Sequence, residues 1–319
     1  MATKRAFIVL NPVAGPDDGT EARGIIAAHF AEAGWAIEVH ETSESENVTE
    51  CTRSALVVGY DLVVAAGGDG TVAAVGSALV GTDQVMGVLP TGSGNGLARE
   101  LGIPLTLSRA LDLLTGDHAS REIDAIEVPG HGHFFLNLSM GMSARAMRDT
   151  SREEKRRLGW LAYLWRGGRA LIGLQPVHFS LTVDDETESV RATDVLIANL
   201  GSLGIPALRL VPEAASGDGE LDVITIRART LWDYARIVWA MVSRRRGRTP
   251  HLRLLRARRR VTIDASPQQP VQADGEYLGM GPIEVRVVPA AVRVAVPGAV
   301  GKSAHSKSGR LRVKPTLLD

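Results

Sequence analysis

Short apolar runs of five or six residues alternate with amphipathic stretches through the first 125 positions. Residues 6–10, 36–40, 61–66 and 85–89 predict strands, and 20–33, 46–58, 72–80, 97–101 and 109–114 predict helices. Apolar strands separated by helices of about ten residues predict a mainly parallel sheet covered on both faces. From about Ile123 the pattern changes. Residues 134–138, 177–183, 190–198, 221–226, 261–263, 270–273, 283–288 and 292–296 predict strands, several with apolar-polar alternation such as Val285-Arg286-Val287. Few helices separate them, so a second, antiparallel β-rich domain is expected. Helical patterns at 152–174 and 231–243 interrupt it. We expect an α/β domain over 1–124, a β-rich domain over 125–300 whose last strand returns to the first, and a disordered basic tail over 301–319.

The chain has 319 residues, 45% of them hydrophobic, and a formal net charge of zero. That length favours two domains over one. Global charge steers no partner, but local charge is uneven. Residues 244–260 hold nine arginines and no acid, and 38–50 hold Glu38, Glu41, Glu44, Glu46 and Glu50. A single cysteine, Cys51, excludes an internal disulfide framework and fits a reducing compartment. The apolar run Phe7-Ile8-Val9-Leu10 is too short for a signal peptide, and no run approaches a membrane span. Any membrane contact is expected to be peripheral.

Two glycine loops carry the chemistry. Gly67-Gly68-Asp69-Gly70-Thr71 and Gly92-Ser93-Gly94-Asn95-Gly96 each leave a buried-type strand and enter a helical segment. Glycine lets backbone approach a ligand closely, and helix N-termini favour anions. Two such loops on neighbouring strands can grip a run of phosphates. Neither has the dinucleotide spacing, and Gly301-Lys302-Ser303 lacks the rest of a P-loop. Asp69 between glycines would repel phosphate unless a cation intervened, so it reads as a Mg²⁺ contact or a base; the alternative is an Asx turn. Thr71, Ser93 and Asn95 can cap a helix or touch phosphate. Asn11-Pro12 and the turn to Gly15 follow the first strand and offer a further nucleotide contact, or a plain strand-ending turn. Asp274-Gly275 alone reads as a hairpin turn, and Asp218-Gly219-Glu220 as a polar loop before a strand.

Asn11 to Gly15, Gly67 to Thr71, Gly92 to Arg99, Ser216 to Asp222 and Asp274-Gly275-Glu276 occur in order over nearly the whole chain. Together they resemble the diacylglycerol kinase catalytic-domain family, which includes bacterial soluble lipid kinases and sphingosine kinases. The resemblance implies a 6-phosphofructokinase/NAD kinase-like first domain, ATP and Mg²⁺ as cofactors, and a lipid alcohol as acceptor. It implies that Glu276, then Asp274, acts as general base and helps bind metal, and that Thr42 contacts nucleotide. It places a structural Mg²⁺ at the Asp218 side chain and the Glu220 carbonyl. The chain departs from the family pattern at Ala215, at Ala73-Ala74-Val75 and at Asn95-Gly96.

Arginines interleave with Trp160, Tyr163 and Trp165, and Arg244, Arg245 and Arg246 follow Trp232 and Trp239. That composition suits a lipid headgroup interface, or two ordinary amphipathic helices. No nucleic-acid motif accompanies it. The expectation is a cytoplasmic, peripherally membrane-associated kinase, with a homodimer left open. Rivals are a sphingoid-base kinase, a soluble-acceptor kinase of the NAD kinase type, and a non-catalytic nucleotide- or lipid-binding regulator. We also expect Asp69→Asn and Gly68→Ala to abolish turnover.

Overall fold

The computed structural model describes residues 3–15, 19–43, 45–148, 175–200, 217–228, 230–242 and 251–298. The predicted helix at 152–174, its aromatic and basic residues, Ala215, Arg244 to Arg246 and the tail lie outside them.

The N-terminal half alternates strand and helix: β1 (Arg5–Leu10), α1 (Gly19–Glu32), β2 (Ala36–Glu41), α2 (Val48–Leu56), β3 (Leu62–Gly67), α3 (Asp69–Leu79), β4 (Val85–Pro90), α4 (Gly96–Glu100) and α5 (Leu107–Thr115). Strands β2, β1, β3 and β4 lie side by side and parallel. Every residue of β3 is buried, because helices cover both faces of a parallel sheet. Phe7, Val63, Val75 and Leu97 fill the core on one face, and Ile8, Ile26, Phe30 and Leu111 that on the other.

After β5 (Ala119–Val128), β6 (Gly132–Phe134), β7 (Asn137–Gly141) and α6 (Met142–Arg148), the described residues are mostly strand. The described elements are β8 (Val177–Val183), β9 (Glu186–Ala192), β10 (Asp194–Ala198), β11 (Leu221–Ile226), α7 (Leu231–Val242), β12 (Leu252–Ala257), β13 (Arg260–Ser266), β14 (Pro270–Ala273), β15 (Glu276–Met280) and β16 (Ile283–Val296). A second sheet, β12-β11-β10-β7-β14-β15, is wholly antiparallel. It packs on β8 and β13 through Leu138, Ile197, Val223, Phe179 and Ile263. β13 alternates exposed and buried residues, the pattern of a sheet with one wet face.

Two long strands join the halves. β16 pairs with β13 in its first part and runs parallel to β4 in its last. β5 pairs along nearly all of β16, so position 124/125, where a boundary was expected, falls inside a continuous strand. A bulge between Val288 and Val292 lets β16 change direction. The buried carboxylate of Asp124 holds that corner: its oxygens accept from Ala290 N at 2.8 Å and from Gly219 N at 2.8 Å.

Two predicted strands are each divided. The 134–138 run breaks at Phe135-Leu136, whose amides turn to the Asp274 carboxylate rather than to a neighbouring strand. The 190–198 run breaks at Thr193, whose N–H donates to Ile226 O where the chain leaves β9 for β10 in the other sheet. Apolar character on either side of each switch conceals the breaks: 134–138 is apolar but for Asn137, and Val190 and Ala192 are buried before Thr193 as Val195 to Ala198 are after it. β12, absent from the expected strands, forms within the arginine-rich stretch. Its neighbours explain it: Arg253 pairs with Glu188, Arg256 and Arg258 with Glu220, and Arg259 with Asp185. These arginines are therefore not an unpaired basic face.

Asp194, at the start of β10, is buried and its carboxyl is pushed up to about 7 by desolvation, against the Ser143 side chain and N–H that favour the anion. A carboxyl raised in the folded state contributes stability that is full below its unfolded value near 4. That contribution is lost as pH rises through about 7. Asp194→Asn removes the titration. Unfolding measured at pH 5 and pH 8 should show the variant gaining on the wild type with rising pH, by on the order of 2–4 kcal/mol. A pH-independent difference would place the titrating group elsewhere.

Candidate active site

The parallel register puts the expected phosphate loops on one edge. Leu10 lies opposite Glu41 and Ala66, and Gly67 opposite Pro90. The ladder then continues by single bonds beyond the strands: Thr42 N to Leu10 O at 2.9 Å, Asn11 N to Ala66 O at 2.9 Å, and Thr91 N to Gly67 O at 3.2 Å. Asn11, Thr42 and both glycine loops thus share the carboxyl end of the sheet, where open α/β sheets bind ligands.

The loops pack backbone to backbone. A Cβ on Gly92 would lie 2.4 Å from Gly68 Cα, and one on Gly67 would lie 2.4 Å from Thr71 Oγ1. A Cβ on Gly68 meets only Gly92 Cα at 3.5 Å, an ordinary contact. Close packing therefore demands glycine at 67 and 92, while Gly68 is the more forgiving position, in line with a Gly68→Ala variant that keeps its fold. The Asn11 turn joins the cluster: Gly15, at φ +106°, has no room for a Cβ against Thr91 O, and Asn11 Nδ2 donates to Thr71 Oγ1 at 3.3 Å. Asn11 Oδ1 accepts from Val13 N at 3.1 Å, which shapes the turn carrying Pro12.

Asn95 is buried in the left-handed conformation, and its Nδ2 donates to Pro90 O and Gly92 O. Its side chain shapes the loop. Ser93 and Gly94 remain exposed at the tip. Asp69 bridges the loops: Oδ1 accepts from Leu97 N at 3.4 Å, and Oδ2 lies where a Gly94 Cβ would approach to 2.8 Å. Burial pushes its carboxyl up, against the amides of residues 95–97 and Arg99. The first N–H groups of α3, at Asp69, Gly70 and Thr71, have no intrahelical partner by geometry and point where an anion is favoured.

Across from α3, Asp274-Gly275 forms a two-residue turn with φ values of +46° and +89°, and Ala273 pairs with Glu276. This is the hairpin that an Asp-Gly pair predicts. Asp274 does more than turn the chain. Its two oxygens accept from Phe135 N at 2.7 Å, Leu136 N at 3.0 Å and Asn137 N at 2.8 Å. Burial, with help from the Asp69 charge, raises its carboxyl to about 6 despite those amides. Glu276 is exposed one residue past the turn. A cavity of about 630 Å³ lies between the halves, lined by Gly70 and Ala73 of α3, Phe134, Met147 and Arg148 of α6, and residues 273–277.

The Asp218 loop lies apart from that cavity. Asp218 Oδ1 accepts from Glu220 N at 3.0 Å, and Arg258 and Arg256 hold the Glu220 carboxylate below its usual range. Asp222, reached by the charges of Asp218 and Glu220, is pushed up to about 6, mainly by burial. Carboxylate and carbonyl oxygens are the donors a hard divalent cation takes, so the Asp218 side chain with the Glu220 carbonyl, and separately the Asp69 carboxylate, fit Mg²⁺, while the Glu220 carboxylate is held by Arg256 and Arg258. Asp124 had no sequence signal: beside Glu122 and Glu127 of the same strand it looks like a surface acid until the loops on its two oxygens are seen.

Residues 5–128 match the family described as diacylglycerol kinase catalytic domain, and 137–296 match the YegS C-terminal NAD kinase beta sandwich-like domain. The chain is 29% identical over 285 residues to a diacylglycerol kinase of Bacillus subtilis, covering 88% of this chain and 92% of that one. It is 32% identical over 283 residues to a "Probable lipid kinase YegS-like" of Pseudomonas aeruginosa, covering 87% and 90%. A crystal structure of a diacylglycerol kinase from Bacillus anthracis superposes with a TM-score of 0.68 at 20% identity, covering 93% of this chain and 98% of that one.

Proposed function

The chain belongs to the diacylglycerol kinase family and is a lipid kinase; from that premise we propose that it transfers the terminal phosphoryl group of ATP to the hydroxyl of diacylglycerol or a related lipid alcohol. One observation carries the proposal. The first glycine loop and Asp274-Gly275-Glu276, far apart in sequence, line the same cavity. Phosphoryl transfer is mainly positioning and charge stabilisation, and that cavity faces a phosphate-suited helix N-terminus with a carboxylate.

In this reading the N–H groups at residues 69–71 and the second loop hold the phosphates. The acceptor oxygen bonds to the terminal phosphorus, the bond to the bridging oxygen breaks, and Glu276 takes the hydroxyl proton late. Asp69, and separately Asp218 with Glu220, would hold Mg²⁺, whose charge neutralises the phosphates at the first place and braces the loop at the second. Asp274 positions the turn through its three amide bonds.

We place the reaction at a membrane surface in the cytoplasm, and the free thiol of Cys51 accords with a reducing compartment. Among the described residues no helix is long and apolar enough to cross a membrane. Trp232 and Trp239 lie two turns apart on one face of α7, 77% and 70% exposed, with Arg236 between them. Amphipathic rings beside a cation suit the headgroup layer. The test is incubation with labelled ATP, Mg²⁺ and a panel of acceptors: lipids in anionic vesicles, a sphingoid base among them, and NAD as the soluble acceptor. Labelled diacylglycerol supports the proposal; label only in NAD or in no acceptor overturns it. The Trp232→Ala/Trp239→Ala variant should raise KM for vesicle lipid severalfold and leave KM for ATP unchanged.

A further inference from the structure

A cluster outside the cavity joins three different metal-ligand types. His40 lies one residue before the end of β2, Glu46 precedes α2, and Cys51 lies in its first turn. One ligand atom from each, the imidazole nitrogen, a carboxylate oxygen and the sulfur, all lie within 4.8 Å of one another. His40 Nε2 and Glu46 Oε1 are 2.7 Å apart. All three residues are half-buried. Phe7 stacks on the imidazole at 6.2 Å between centroids and fixes the ring.

We propose that His40, Glu46 and Cys51 form a binding site for a thiophilic divalent metal of the zinc type. Thiolate and imidazole select such ions over Mg²⁺ or Ca²⁺, which take oxygen donors. Tetrahedral zinc with bonds of about 2.0–2.3 Å needs ligand atoms roughly 3.3–3.6 Å apart. The present spacing reaches that by small side-chain movements: the His40–Glu46 pair opens and the sulfur closes in. Three protein ligands leave a fourth position for water, as in zinc sites of that ligand number. Binding displaces the Cys51 proton. Burial and the charges of Glu46 and Glu38 push that thiol up, so the metal must compete with the proton and binding should strengthen with pH.

The site has a structural consequence. Residues 41–47 connect β2 to α2 and include Thr42, whose amide extends the sheet edge beside the phosphate loops. A metal bridging the two ends of this connection would pin it. The simpler alternative is a His-Glu ion pair with a packed thiol beside it, which would bind no metal.

Cys51 is the only cysteine in the chain, so any cobalt–thiolate absorption must come from it. The full chain titrated with Co²⁺ should develop one equivalent of near-ultraviolet thiolate-to-cobalt absorption, displaced by Zn²⁺. Cys51→Ser should abolish it, and His40→Gln and Glu46→Gln should each weaken Co²⁺ affinity at least tenfold. Zn²⁺ should raise the melting temperature of the wild type and not of Cys51→Ser, a readout independent of folding yield. Absence of the band at excess Co²⁺ overturns the proposal. So does a band unchanged by His40→Gln and Glu46→Gln, or one that grows with protein concentration and so arises between two copies.

Discussion

Glu276→Gln should lower turnover by roughly 10²- to 10⁴-fold, the scale of a lost general base, while nucleotide affinity changes little. The substitution keeps the size and hydrogen-bonding shape of the side chain and removes only its ability to take a proton. The Glu276 side chain is exposed at the cavity, and only its backbone takes part in the β14–β15 ladder. Its melting temperature should therefore stay near that of the wild type. The neighbouring Asp274→Asn should behave differently. An Asn-Gly pair makes the same turn, and Asn tolerates φ of +46° well, so a residue that only shaped the turn would tolerate the change. Asp274 does more than that. Three backbone N–H groups converge on the two oxygens of Asp274, and Asn offers one oxygen and turns an NH₂ toward a donor. The cost should be about 1–3 kcal/mol for the unsatisfied amides. Steady-state kinetics and thermal unfolding of both variants separate a chemical role from a positioning one. Wild-type turnover in Glu276→Gln with loss in Asp274→Asn would move the base to Asp274, which also lines the cavity; wild-type turnover in both would move it to Asp69.

The second large effect is expected at Gly92. A Cβ there would sit 2.4 Å from Gly68 Cα, backbone against backbone, so one loop must move. Overpacking of this kind costs about 1–3 kcal/mol. Displacing a phosphate loop by about 1 Å is enough to cost on the order of 10²-fold in kcat/KM. Gly92→Ala should therefore lose both nucleotide affinity and turnover. Gly68→Ala, with its nearest contact at 3.5 Å, should keep its stability. Nucleotide binding and kcat/KM measured on the pair decide the point: equal behaviour of the two variants would mean that the close approach of the loops does not hold the phosphate site.

Much of this was legible along the chain. Apolar runs at 6–10, 61–66 and 85–89 separated by helical patterns specify a parallel sheet, since only a sheet buried on both faces needs uninterrupted apolar strands. The glycine loops were legible for a similar reason: close backbone packing excludes other side chains at Gly67 and Gly92, and the requirement appears in residue type. The order of five motifs was enough to indicate the lipid kinase family that the comparisons show. The Asp274-Gly275 hairpin was legible because positive φ at two successive positions restricts composition.

Other features depend on partners that no local pattern encodes. Asp124 looks like any strand acid, and only the fold brings Ala290 and Gly219 to its oxygens. Asp274 alone reads as a turn residue until the break at Phe135-Leu136 and the start of β7 deliver three amides to it. The arginines of 253–259 read as a basic face, and acids from the β8–β9 hairpin and from Glu220 pair with them. His40, Glu46 and Cys51 converge because the connection between β2 and α2 brings their side chains to one place. By itself the sequence determined the strand and helix periods, the glycine positions and the family, because each is a constraint on residue type at one place. The tertiary structure decided which acids are held by amides, which arginines are paired and which carboxylate faces the cavity, because hydrogen bonds and charges act across space between segments whose separation in sequence carries no signal.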